Sequence, residues 1–91
     1  MFKDNPQAKN NRRDSILILS DILAFAVQGI GRTELMYRAG LNSSQTNKYM
    51  SLLLKSELLE TSVEKKRLLY RTTVKGKGFL EKSSTLRRLM S

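Results

Sequence analysis

The sequence predicts an α+β fold, mainly helical, in which a three-helix core is followed by a β-hairpin and a C-terminal helix. Apolar residues recur at helical spacing through about residue 56, the period shortens between Leu58 and Thr73, and a helical pattern returns from Val74. A chain of 91 residues and 10.4 kDa holds one core. It should expose roughly 5,400 Å² when folded against about 15,000 Å² unfolded.

Residues 1–13, MFKDNPQAKNNRR, carry the only proline, show no periodicity, and set Lys3, Lys9, Arg12 and Arg13 against Asp4. They read as a disordered basic arm, which either reaches a minor groove or only aids solubility. The apolar run Ile16 to Val27 resembles a signal-peptide core, but Asp21 interrupts it. It is also shorter than the roughly 20 apolar residues that span a bilayer. Ile16, Leu19, Ile22, Leu23 and Ala26 share one side of a helix, opposite Leu17, Ser20, Asp21, Ala24 and Gln28. Asp14 or Ser15 supplies its N-cap. Ile18 and Phe25 widen the apolar face enough for a second contact, such as a dimer interface.

Gly29-Ile30-Gly31 ends this helix, and Thr33 is placed to cap a short second helix, Glu34 to Ala39, with Leu35 and Met36 inward. After Gly40, Asn42-Ser43-Ser44-Gln45 has capping-box spacing, so a third helix should run from about Ser43 to Ser56. Two helices joined by a glycine-bearing turn form a helix-turn-helix, whose second helix enters the major groove. On that helix Ser44, Asn47, Lys48, Ser51 and Lys55 share one side, whereas Thr46, Tyr49, Met50 and Leu53 take the other. The polar side holds no acid. Amides, hydroxyls and lysines without acids suit a groove wall better than an ordinary solvated face, which mixes signs. Gln45 is the exception, because capping already occupies its side chain.

Leu58 to Glu64 and Leu68 to Thr73 read as strands joined by the basic tip Lys65-Lys66-Arg67. Neither Asn-Gly nor Asp-Gly marks the turn, so its length stays open. A hairpin directly after a helix-turn-helix is a wing, and its tip cations would touch phosphates or the minor groove. From residue 74 to 91, Phe79, Leu80, Leu86, Leu89 and Met90 form an apolar stripe, and Gly76 and Gly78 weaken the first turn. That helix packs on the first one or forms half of a dimer contact. The divisions are therefore an arm at 1–13, a winged helix-turn-helix domain at 14–73 and a C-terminal helix at 74–91.

Composition limits the function. Seventeen Lys and Arg against 8 Asp and Glu leave a formal charge of +9, with no His, Cys or Trp. Disulfides, thiolate nucleophiles, cysteine-based zinc sites and histidine bases are all excluded. No base-oriented nucleophile or paired carboxylate is recognisable, since Asp14 and Asp21 read as a cap and a solvated position, so no enzyme, metal or cofactor is expected. The charge makes nucleic acid the first candidate partner and an anionic membrane its competitor. A membrane-binding helix would need a free apolar side, and here the core takes it. Cytoplasmic, nucleoid-associated residence is expected.

The stretch Glu34-Leu35-Met36-Tyr37-Arg38-Ala39-Gly40-Leu41-Asn42-Ser43-Ser44-Gln45, then Lys48-Tyr49, Leu58-Leu59-Glu60, and Tyr70-Arg71-Thr72-Thr73-Val74-Lys75-Gly76-Lys77-Gly78-Phe79-Leu80, resembles the small archaeal winged-helix DNA-binding proteins over about residues 14 to 82. That resemblance implies a winged helix-turn-helix fold, homodimers held by the C-terminal helix, and roles in transcription or chromatin. Members with long C-terminal coiled coils have far more sequence after the wing.

The function expected is a double-stranded DNA-binding transcriptional regulator, with Ser44, Gln45, Asn47, Lys48 and Ser51 facing bases. Arg38 and Lys55 would meet phosphates, and Lys65, Lys66 and Arg67 the flanking backbone or minor groove. Two alternatives stay open: a sequence-tolerant nucleoid architectural protein and a winged-helix protein-interaction module.

Overall fold

The structure is a computed structural model that describes residues 6–90, with side chains from Ser15 onward apart from 86, 87 and 90. Its elements run α1 (Pro6–Phe25), α2 (Arg32–Ala39), α3 (Ser43–Lys55), β1 (Leu59–Glu64), β2 (Arg67–Thr72) and α4 (Val74–Met90). The α+β, mainly helical architecture matches the expectation from sequence.

α1 begins earlier than a cap at Asp14 or Ser15 would allow. Its backbone is helical from Pro6, so residues 6–13 of the expected unstructured arm belong to the helix, and residues 1–5 lie outside the described residues. Proline at a first helical position has its φ already set, and Gln7, Ala8, Lys9, Arg12 and Arg13 are good helix formers. Ser15 is thus interior to the helix, and its hydroxyl lies 3.3 Å from the Tyr49 hydroxyl of α3. Ile22, Leu23 and Ala26 are fully buried as expected, but Ser20 is buried as well, while Ile16 is half exposed. The core-facing sector has therefore turned toward Ser20, whose Oγ is buried with no hydrogen-bond partner among the described residues.

α2 starts at Arg32 with Gly31 as its N-cap, displacing Thr33 from that role. The first intrahelical bond runs from the Leu35 amide to the Gly31 carbonyl at 3.0 Å, two residues earlier than a Thr33 cap would give. Gly40 ends α2 in the left-handed region at φ 68°, and the Leu41 amide returns to the Met36 carbonyl at 3.0 Å. The capping box of α3 is complete: the Gln45 amide donates to Asn42 Oδ1 at 2.7 Å, and the Asn42 amide donates to Gln45 Oε1 at 3.0 Å. Thr46, Met50 and Leu53 bury the inner face of α3 against the core formed with Ile22, Leu23, Ala26, Ile30, Leu35 and Leu59.

β1 and β2 pair antiparallel from Leu59 opposite Thr72 to Glu64 opposite Arg67. Only Lys65 and Lys66 remain for the turn, at φ 52° and 65°. Positive φ at both central residues is the mark of a type I′ turn, which matches strand twist but favours Asn-Gly. The charge on the tip hides the turn from sequence reading, and Arg67 belongs to a strand. Beyond the hairpin, Ile30 forms a bridge to Tyr70, with 2.9 and 2.8 Å bonds between their backbones. Thr72 ties β2 to the end of α1: its amide donates to the Ala26 carbonyl at 3.0 Å and its hydroxyl to the Leu23 carbonyl at 2.5 Å.

α4 packs on α1 and β2. The Thr73 hydroxyl accepts from the Gly76 amide at 3.0 Å and donates to the Glu57 carbonyl at 2.7 Å, fixing the start of α4 to the turn before β1. A Cβ at Gly76 would lie 2.2 Å from the Leu58 carbonyl oxygen and 2.6 Å from Thr72 Cγ2, so this glycine permits close approach. The same atom at Gly78 meets nothing within 4 Å. The two glycines should respond oppositely to alanine. Gly76→Ala is expected to destabilise by about 1–3 kcal/mol through overpacking. Gly78→Ala is expected to stabilise by about 0.5–1 kcal/mol, the helix-propensity difference. Urea unfolding midpoints check both, and equal responses would contradict the packing account.

Candidate nucleic-acid interface

The residues expected to face bases are all exposed on α3: Ser44, Gln45, Asn47, Lys48 and Ser51, with Lys55 one turn further. Lys48 Nζ lies 5.9 Å from the centre of the Tyr49 ring, and Tyr49 is half buried beneath the polar face. Gln45 keeps its carbonyl on the capping box, which leaves its amino group as a donor.

The hairpin brings three further cations. Lys65 and Lys66 are exposed at the tip, and Arg67 is exposed at the first position of β2. Arg67 reaches back toward α2, with Nη2 3.2 Å from where a Cβ of Gly31 would lie. Arg71 crosses the hairpin to Glu64 at 2.6 Å and lies against Gly29, whose φ is 94°. Two glycines therefore give the arginines of β2 room beside the entry to α2.

Arg38 departs from the group. It pairs with Glu34 at 3.3 Å on its own helix and stands 5.8 Å over the Phe25 ring. An arginine with an acidic partner and an aromatic face beneath it has a structural role already.

The residue that the sequence reading passed over is Arg32. From the first position of α2 its Nη2 donates to Asn47 Oδ1 at 2.6 Å, Ser43 Oγ at 3.1 Å and the Ser43 carbonyl at 3.3 Å, and its Nη1 lies 3.2 Å from Met36 Sδ. The contact joins the first turn of α2 to the first turn and a half of α3. Wheels drawn one helix at a time cannot show it.

Between α1 and α3 an open groove of about 340 Å³ is lined by Ser15, Leu19, Tyr49, Leu52, Lys48, Ser51 and Lys55. Among the described residues no cluster of acids could hold a metal ion, and no helix is long and apolar enough to cross a membrane.

A helix-turn-helix with an exposed acid-free second helix, a third-strand bridge and a cationic hairpin defines a winged helix. The chain belongs to the winged helix-turn-helix family, whose model matches residues 12–91. It is similar to Sso10a-2, a DNA-binding protein from Sulfolobus solfataricus, at 30% identity and TM-score 0.67 over 82% of each chain. The fold alone is shared with S. aureus MepR bound to an oligodeoxyribonucleotide, at 14% identity and TM-score 0.69 over 85% of this chain and 58% of that one. It is also shared with the PcaV transcriptional regulator from Streptomyces coelicolor, at 19% identity and TM-score 0.62 over 89% and 71% of the two chains. Comparison with curated proteins finds no match.

Lysine side chains held in the left-handed region strain the hairpin tip. Replacing Lys65 and Lys66 together with Asn and Gly is expected to stabilise the domain by about 1 kcal/mol. Chemical denaturation checks this, and an unchanged or lower midpoint would refute the strained-turn assignment.

Proposed function

We propose that the protein binds double-stranded DNA and regulates transcription, with α3 in the major groove and the wing on the flanking backbone or minor groove. The observation that carries this reading is the exposed face of α3, free of acids, in a fold that also presents exposed cations on its hairpin. Ser44, Gln45, Asn47, Lys48 and Ser51 take base edges, where short donors and amides discriminate. Lys55, Lys65, Lys66 and Arg67 take phosphates, where charge fixes position without reading sequence. Arg38 reaches a phosphate only by sharing its charge with Glu34. Such a protein acts by binding, without catalysis, on the nucleoid in the cytoplasm.

A homodimer completes the proposal. Ile16 and Leu17 on α1 and Leu89 on α4, the last 78% exposed, leave apolar surface on two helices that pack together. Two-fold symmetry would place the paired α3 helices on half-sites about one helical turn apart. Light scattering at micromolar concentration is expected to give twice the chain mass, and a monomer throughout would refute this part.

Sequence choice separates a regulator from an architectural protein. Titrating duplex from the region flanking its own gene against random duplex at fixed salt is expected to show a gap of about 10³ or more. A gap below about tenfold would exclude the specific regulator and leave the sequence-tolerant coat. Replacing Lys65, Lys66 and Arg67 with alanine is expected to weaken both duplexes alike and lower the salt slope by roughly two to three. No shift of any duplex at low salt would favour a protein-interaction module.

A further inference from the structure

We propose that Arg32 sets the base preference of the recognition helix by fixing the Asn47 carboxamide, so that Asn47 meets DNA as an N–H donor and selects guanine in place of adenine. This inference rests on the DNA-binding reading above and deepens it.

A free asparagine reads adenine with both ends of its amide: Oδ1 accepts from N6 while Nδ2 donates to N7. Asn47 has the orientation of its amide fixed by a neighbour. Its Oδ1 accepts from the Arg32 guanidinium at 2.6 Å, the shortest of the contacts Arg32 makes to α3. Bonds from an ionised donor are short and strong. The orientation is also self-consistent, because turning the amide over would set an NH2 against the guanidinium, donor against donor. Ser43 takes two further contacts from the same nitrogen, and Met36 Sδ lies against the other, so the guanidinium is held from both helices.

Asn47 is exposed, and with Oδ1 turned to Arg32 the end of its amide directed away from the guanidinium is the donor Nδ2. Guanine offers two acceptors in the major groove, N7 and O6, whereas adenine offers N7 beside an N6 donor that would face another donor. Arg32 is therefore a positioning residue, which acts on sequence choice through Asn47.

The test is selection from randomised duplex followed by competition between single-base variants of the selected site. Wild type, Arg32→Met and Asn47→Asp are compared. Wild type is expected to prefer guanine over adenine at one position by about tenfold. Arg32→Met keeps the aliphatic stem, removes the donors and frees Oδ1; preference at that position should move to adenine, with the other positions unchanged. Asn47→Asp keeps an acceptor for Arg32 and loses the donors, so it tests the same point in a variant whose link between α2 and α3 is preserved. The guanine preference should disappear.

Uniform weakening of all sequences by Arg32→Met would overturn the proposal, as would guanine preference surviving Asn47→Asp. In both cases duplex binding by the wild type would still stand. Wild type with no base preference at any position overturns this inference together with the specific-regulator reading.

Discussion

The arrangement of the domain depends on the end of α1. A helix terminus leaves carbonyls without intrahelical partners, and burial makes that expensive unless something donates to them. Here β2 donates: the Thr72 hydroxyl bonds the Leu23 carbonyl, and the Thr72 amide bonds the Ala26 carbonyl. The hairpin is held to the first helix at this point and to Ile30 two residues earlier along β2. Thr73 then joins the turn before β1 to the first turn of α4. Consecutive residues thus orient the wing and the last helix together.

Close backbone approach is the price of that economy. Gly76 lies where a Cβ would run into the Leu58 carbonyl, and Gly29 and Gly31 lie where side chains would displace Arg71 and Arg67. Gly76 is needed for the space it leaves beside backbone, Gly29 for its φ of 94°, and Gly31 faces only the end of a flexible arginine. At the surface α3 contributes Lys48 and Lys55, the tip Lys65 and Lys66, and the arginines of β2 lie beside the start of α2.

Much of this was legible in the sequence because it is local. Asn42 and Gln45 announce their helix through spacing alone, Gly40 marks the end of α2, and the inner face of α3 follows from its period. The same locality explains the misses. Residues 6–13 have helix propensity without an apolar stripe, so no periodicity marked them. Ser20 is buried by what packs around α1, and polarity alone put it on the wrong side. Lys65 and Lys66 occupy a turn normally written with Asn and Gly, and Arg38 looked available until Glu34 and Phe25 were placed beside it. Arg32 bonds residues of the next helix that lie eleven and fifteen positions away in sequence, which no single-helix pattern contains.

The lysine turn also bears on what holds the hairpin closed. A hairpin with Asn-Gly at its tip can nucleate from its own turn, because the reversal is favourable before the strands meet. With lysines at positive φ the reversal is unfavourable by itself, and the strands gain enough only when α1 and Ile30 are in place to receive them. The reversal is therefore held by the contacts that β2 makes to α1 and Ile30. The segment that carries three consecutive cations thus owes its shape to contacts at the far end of the hairpin and not to its own turn.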